Sequence, residues 1–376
     1  MRRSKRNLVV ALVLVSVTAF IFWRFNLAQA SQKQHPGAVQ SRTAVIVDDT
    51  AIPEGSYPWG LTFDKQGNVW QALPGCDPNP RCTPGIPSGK IAVYDPVKMA
   101  WIATYTLPAG YGQAILLTFD QNGKLWFPLF ATNALGRFDP VKKTFQKWTV
   151  PTPKSGPWDV VVDHQGYIWF TEHYLNKIAR FDPKTETFLE IETPALDSLP
   201  YGITVDAKGN IWFTENSKTV ALIGEYTTQG KLLEYTIPGR QASKVTPHMI
   251  VAAPDGNIWW TEGEAGRIAR LNVAQAKAGT ANGITEYVYE KPCLTCNTHT
   301  SGISVDHAGN VWFDDSLQGI FGSFPLSGNG RFSIYNTPTS YSHPHDGLRI
   351  DADNRLWFGE EYGNRLALAQ TLGGSS

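Results

Sequence analysis

The 376-residue sequence predicts an all-β fold: a seven-bladed β-propeller with four antiparallel strands per blade. Three observations carry this expectation. First, an apolar strand, a turn resembling Asp-x-x-Gly-Asn and a second strand centred on tryptophan recur seven times, with Trp70, Trp126, Trp169, Trp212, Trp259, Trp312 and Trp357 spaced 43 to 56 residues apart. Second, weaker alternating runs such as KIARFDP and TFLEIETP follow several copies and supply two further strands per unit. Third, the seventh unit stops after its third strand, RLALAQT, while TAVIVDDTAIP (43–53) carries the fourth-strand pattern near the start. An N-terminal strand pairing with the last blade would close the ring and remove both open edges.

Taken in order, residues 1–30 are a different material from the rest. MRRSKRN is basic, Leu8 to Trp23 is an unbroken apolar run, and Ala28-Gln29-Ala30 offers small residues at a cleavage position. The segment reads as a signal peptide or, if it is retained, as an N-terminal membrane anchor. Export to a periplasmic or extracellular compartment is the expectation either way, and the membrane enters only through this segment if it is uncleaved. Residues 31–42 form a polar linker, 43–371 the propeller, and 372–376 a flexible tail.

Within each unit the alternation of apolar residues around an Asp/Gly/Asn turn describes a hairpin, because the turn needs a residue tolerant of positive φ. A lone blade cannot bury both faces, so neighbours must stack, and the repeat tryptophans are expected between blades. Lys+Arg and Asp+Glu both number 33, so no basic field recruits nucleic acid. Removing the leader takes five basic residues and no acids, leaving 28 against 33 and a mildly acidic chain, expected to be a monomer.

Function is expected where the innermost strands begin and the second strands end, at one mouth of the channel. Trp59, Trp158, Tyr201, His248 and Asp346 stand at the start of the first strands, with His345 just before Asp346 and His299 upstream of the sixth unit. Three residues after their tryptophans stand Glu172, Glu215, Glu262, Asp315 and Glu360, which predicts a ring of carboxylates on that rim. Such a ring is tolerable if it binds a cation or shares protons with histidines. Oxygen ligands suit Mg²⁺ or Ca²⁺, and a mixture with imidazole also admits Mn²⁺ or Zn²⁺. HPHDG (343–347), facing Glu360, is the segment where two of the eight histidines meet these acids.

Cys76 and Cys82 bracket one loop on that face, and Cys293 and Cys296 another. Two local disulfides fit an exported chain, whereas a four-cysteine zinc site needs the two loops to meet.

The repeat P-[WYH]-G-I-x-x-D-x-x-G-x-[IL]-W-F-T-E, seven times over, resembles the virginiamycin B lyase (streptogramin B lyase) family across nearly all of the chain after the leader. The resemblance implies a carbon–oxygen lyase that opens a cyclic depsipeptide at its ester by elimination, with a histidine base and Mg²⁺ or another divalent cation. Matched to the family's E-P-H-G segment, His345 takes the catalytic position, Glu360 that of a metal ligand, and His343 stands where the family has its first metal-binding glutamate. Asp346 is an extra residue between His345 and Gly347. Ser301 stands where the preceding blade would contribute a histidine, with His299 two residues upstream.

Two other functions share the same rim. One is a metal-dependent lactonase or esterase. The other is a non-catalytic binding propeller in which Trp59, Trp158 and Tyr201 grip a small molecule, carbohydrate or peptide.

Overall fold

The structure, a computed structural model, describes residues 45–78, 82, 87–238 and 245–371. The leader, the linker and the C-terminal tail expected from the sequence lie outside the described residues. Among those described, twenty-eight strands form seven antiparallel four-stranded sheets, and no helix is long and apolar enough to cross a membrane. Six sheets are continuous in sequence. In the seventh, Val45–Ala51 pairs with Arg365–Thr371, which continues into Leu356–Glu360 and Arg349–Ile350. The ring therefore closes as the missing fourth strand predicted.

The repeated aspartate explains why the motif recurs. In the third blade Asp163 Oδ1 accepts the amides of Gln165 and Tyr167, both at 2.9 Å, while Oδ2 accepts Trp169 Nε1 at 2.7 Å. Gly166 between them sits at φ +87°, a conformation that a side chain would strain. One carboxylate thus fixes both the turn and the tryptophan that packs between blades. The fifth blade breaks the rule: Ala253 holds the aspartate position, and Trp259 Nε1 is buried with no hydrogen-bond partner among the described residues. Asp163→Ala is therefore expected to cost at least about 2 kcal/mol, because several donors lose one acceptor. Ala253→Asp is expected to gain about 1 kcal/mol. Urea midpoints check both.

Period-two alternation decides which way each second-strand residue points. Trp169 packs with Ile203 of the following blade, whereas Phe170 packs with Trp126 and Val150 of the preceding one. Thr171 Oγ1 donates to Tyr201 O at 2.7 Å, Thr214 Oγ1 to His248 O at 2.6 Å and Thr261 Oγ1 to Ser301 O at 2.6 Å, stitching each blade to the next innermost strand.

A register shift breaks each innermost strand in blades three to six, between Pro157 and Val160, Pro200 and Ile203, Pro247 and Ile250, and Thr300 and Ile303. Such a bulge re-aims the side chain after the first residue. Here it turns Trp158, Tyr201 and His248 into the channel.

Candidate functional site

The last blade carries a larger bulge than the others. Pro344 bridges Glu360, and the next ladder pair is Arg349 with Trp357, so Asp346 is accommodated as an extra residue. Around it the backbone is tightly held. His343 lies at φ +56°, the Gly347 amide turns back to His345 O, and a Cβ on Gly347 would stand 2.1 Å from Trp59 O. Only glycine lets the strand approach the first blade this closely. Left-handed backbone at a non-glycine residue is a cost that gathers at functional sites.

The result is a buried carboxylate tying four blades together. Asp346 Oδ2 accepts Tyr201 OH at 2.7 Å and Trp59 Nε1 at 3.3 Å. His345 Nδ1 lies 3.2 Å from Oδ2, and His248 Nε2 lies 3.1 Å from Oδ1. His299 completes the group, its ring centre 4.7 Å from that of His248 and 5.3 Å from that of His345. One ring nitrogen from each of His248, His299 and His345 lies within 4.8 Å of the others. Beside them His343 Nδ1 meets Glu361 Oε2 at 2.7 Å, its ring stacked 4.5 Å from Tyr362.

Charge follows from burial and neighbours. Burial opposes the ionisation of Asp346, yet the imidazoles of His345 and His248 hold its carboxyl well below the usual range. Burial likewise opposes a charge on His345, but Asp346, with Glu361 and Asp314 further off, pushes it up to about 9. Burial lowers His248, drives His299 well below the ordinary imidazole value and takes His343 to about 4. Burial also raises Glu361 to about 8, and its Oε2 lies 2.7 Å from His343 Nδ1.

The structure brings together His248, His299, His343, His345, Asp346, Trp59, Trp158 and Tyr201. The three aromatic rings are almost fully buried, with centres of Trp59 and Trp158 6.5 Å apart and of Trp158 and Tyr201 5.2 Å apart. They floor the mouth, packed against one another, instead of offering free faces to a carbohydrate or peptide.

The expected ring of carboxylates is not on that rim. Glu172, Glu215, Glu262, Asp315 and Glu360 share the face that looks toward the preceding blade, so they turn into the clefts behind the channel. Glu172 faces Glu190 and Ser155, and Glu215 faces Glu234. Glu262 is held by Arg267 and by Trp260 Nε1 at 3.1 Å, and Asp315 accepts Tyr289 OH at 2.6 Å and the His299 amide at 2.9 Å. Glu360 Oε1 accepts the Thr339 amide at 3.2 Å. The sequence signal was available in the alternation itself: a residue four after the tryptophan, not three, is the one that meets the mouth. His173 and Glu361 occupy that position and were missed. His173 Nδ1 lies 3.3 Å from Pro200 O, with its ring centre 5.0 Å from that of Tyr201.

Glu360 Oε1 accepts a loop amide in a cleft and His343 Nδ1 meets Glu361 Oε2, while Glu360 Oε2 is buried without a hydrogen-bond partner among the described residues. The donors that do converge are imidazole nitrogens, which suit borderline transition metals and not magnesium. The cysteines form two disulfides, Cys76 with Cys82 and Cys293 with Cys296, so they are not zinc ligands.

Buried acids in the clefts carry a pH dependence of their own. Burial raises Glu172 to about 8 and Glu215 to about 9, with Glu190 and Glu234 adding repulsion. Above the ordinary carboxylate value the unfolded chain has released a proton that the folded protein still holds. Stability is therefore fully present below that value and is lost as pH rises toward 8 to 9, at up to about 1.4 kcal/mol per pH unit for each such group. Glu215→Gln is expected to flatten that slope, read as urea midpoints across this range.

Solved structures share the architecture. A selenomethionine-substituted virginiamycin B lyase from Staphylococcus aureus superposes with a TM-score of 0.73 at 23% identity, covering 88% of this chain and 100% of that one. A catalytically inactive histidine-to-alanine variant of the Staphylococcus aureus enzyme with quinupristin gives 0.71 at 24% over 88% and 100%. The extracellular domain of a hybrid two-component system from B. thetaiotaomicron gives 0.61 at 12%, covering 89% of this chain and 44% of that one. At these identities the likeness establishes the fold alone. No curated protein sequence matches the chain significantly. The model of the virginiamycin B lyase family, however, matches residues 100–374, and with that match over most of its length the chain belongs to the virginiamycin B lyase family.

Proposed function

We propose that the protein is an exported carbon–oxygen lyase that opens a cyclic ester or depsipeptide by elimination at the histidine mouth. One observation carries this reading: two imidazoles of HPHDG are each oriented by a carboxylate. His345 Nδ1 lies 3.2 Å from Asp346 Oδ2, and His343 Nδ1 lies 2.7 Å from Glu361 Oε2. A base held by a second group at its far nitrogen is the general arrangement for proton abstraction. The family resemblance gives the base's role to His345; His343 is the second imidazole held in the same way.

In the reaction the base takes the proton from the carbon next to a carbonyl. That electron pair forms a carbon–carbon double bond as the carbon–oxygen bond to the ester breaks, and the carboxylate leaves with the bonding pair. The base then releases its proton, so substrate and product have the same mass. The two disulfides support an oxidising compartment, in agreement with the leader. Because a related structure carries quinupristin, streptogramin B-type compounds are the first substrates to try.

Mass spectrometry of the product tests the proposal. A ring-opened product of unchanged mass supports elimination. A gain of one water identifies a hydrolase of lactones or esters instead, and saturable binding with no new product identifies a binding propeller.

A further inference from the structure

We propose that His248, His299 and His345 form a nitrogen-rich site for a borderline transition-metal dication of the zinc class, with Asp346 as an oxygen donor. The inference concerns binding and stands whether or not the lyase reading does.

The argument begins with where the ligands come from. His248 lies on the innermost strand Pro247–Ala252, His299 immediately before Thr300–Val305, and His345 on the bulged segment of the last blade. Three consecutive blades therefore deliver one imidazole each to the same point. Their nitrogens lie within 4.8 Å of one another. Tetrahedral coordination at metal–nitrogen distances of about 2.0–2.1 Å needs nitrogens roughly 3.3 Å apart, which modest ring rotations supply.

A second observation points independently to a cation. His248 Nε2, His345 Nδ1 and Asp346 Oδ1 are buried, and the two imidazoles face the Asp346 carboxylate at 3.1 and 3.2 Å without a well-directed hydrogen bond among the described residues. Leaving buried polar atoms without well-directed hydrogen bonds is costly, and a shared cation would satisfy them together.

The surroundings are those of an outer shell. Asn216 Nδ2 lies 3.2 Å from His248 Nδ1, which leaves Nε2 to face the group. Tyr201 OH and Trp59 Nε1 hold Asp346 through Oδ2, leaving Oδ1 as the donor. Such contacts orient ligands and tune their affinity. His299 is half-buried, whereas His248 and His345 are buried, so His299 marks the open side through which an ion and then a substrate atom would enter. Three imidazoles with one carboxylate select zinc-class ions over magnesium, which prefers oxygen ligands and keeps its waters. With His345 committed as a ligand, the proton transfer of the lyase reading passes to His343.

Calorimetry on the full chain, stripped with a chelator and titrated with Zn²⁺ and separately with Mg²⁺, tests the site, with the visible spectrum of the Co²⁺ form as a second readout. The expected result is one Zn²⁺ per chain and nitrogen-ligated Co²⁺ bands. Mg²⁺ should not compete, and His299→Ala should weaken Zn²⁺ binding by at least about 100-fold. His164→Ala, in a hairpin turn, should leave binding unchanged, and circular dichroism of each variant should report an intact fold. Absence of Zn²⁺ binding, binding unaffected by both His299→Ala and His248→Ala, or preferential Mg²⁺ binding would each overturn the proposal. Turnover without any Zn²⁺ or Co²⁺ binding would overturn it while leaving the lyase reading in place. Zn²⁺ binding without turnover would do the reverse.

Discussion

His345→Ala is expected to lower turnover of a cyclic ester substrate by about 10²–10⁴-fold while the propeller stays folded. The reasoning is local. His345 is buried between Asp346, the Trp59 ring at 4.4 Å and the His299 ring at 5.3 Å, so its removal takes away a group that proton transfer or cation binding requires. The blade ladders do not pass through its side chain, so circular dichroism should be preserved. His343→Ala separates the two roles open to the segment. If His345 is the base, that variant retains most of its turnover. If His345 is a metal ligand, turnover falls with His343→Ala while Zn²⁺ affinity is kept. Unchanged turnover in His345→Ala would remove the mouth from the chemistry altogether.

Asp346→Ala is expected to cost about 3–5 kcal/mol of stability, the largest effect of any single replacement at the mouth. Its carboxylate is fully buried and lies against groups from the first, fourth, fifth and seventh blades, so deletion leaves Tyr201 OH and Trp59 Nε1 without their acceptor. It also removes the negative charge that raises the pKa of His345. Asp346→Asn keeps the shape and one acceptor oxygen and should cost less than half as much. Urea unfolding read by tryptophan fluorescence measures both. A loss below about 1 kcal/mol for Asp346→Ala would show that the four blades are held together by packing and strand pairing alone.

The resemblance matches Glu360 to a metal-ligand position, whereas the acid in contact with the histidine segment in the structure is Glu361. The distinction between Glu360 and Glu361 is one residue, and in a strand one residue is the difference between two faces. Glu360 shares its face with Phe358 and turns into the cleft toward the sixth blade; Glu361 meets His343. The same alternation sends Glu172, Glu215, Glu262 and Asp315 behind the channel and lets His173 reach it. Counting from the tryptophan located the right end of each strand and the wrong side.

What the sequence by itself determined was therefore everything with a repeat or a local partner. The seven repeat units, six of them with the Asp-to-tryptophan contact, the inter-blade tryptophans and the short-range cysteine pairs follow from residue spacing, and the closing strand near residue 45 follows from the fourth strand that the last unit lacks. Tertiary structure decided how the residues of the mouth meet and which acids join them. His248, His299, His345 and Asp346 meet only because bulges turn side chains inward from separate blades, and the meeting point is set by ring closure across nearly three hundred residues, from Trp59 to Asp346. No local pattern carries that distance. The physical reason is that pairing and turns are decided by neighbours in the chain, whereas convergence on an axis is decided by how all seven sheets pack.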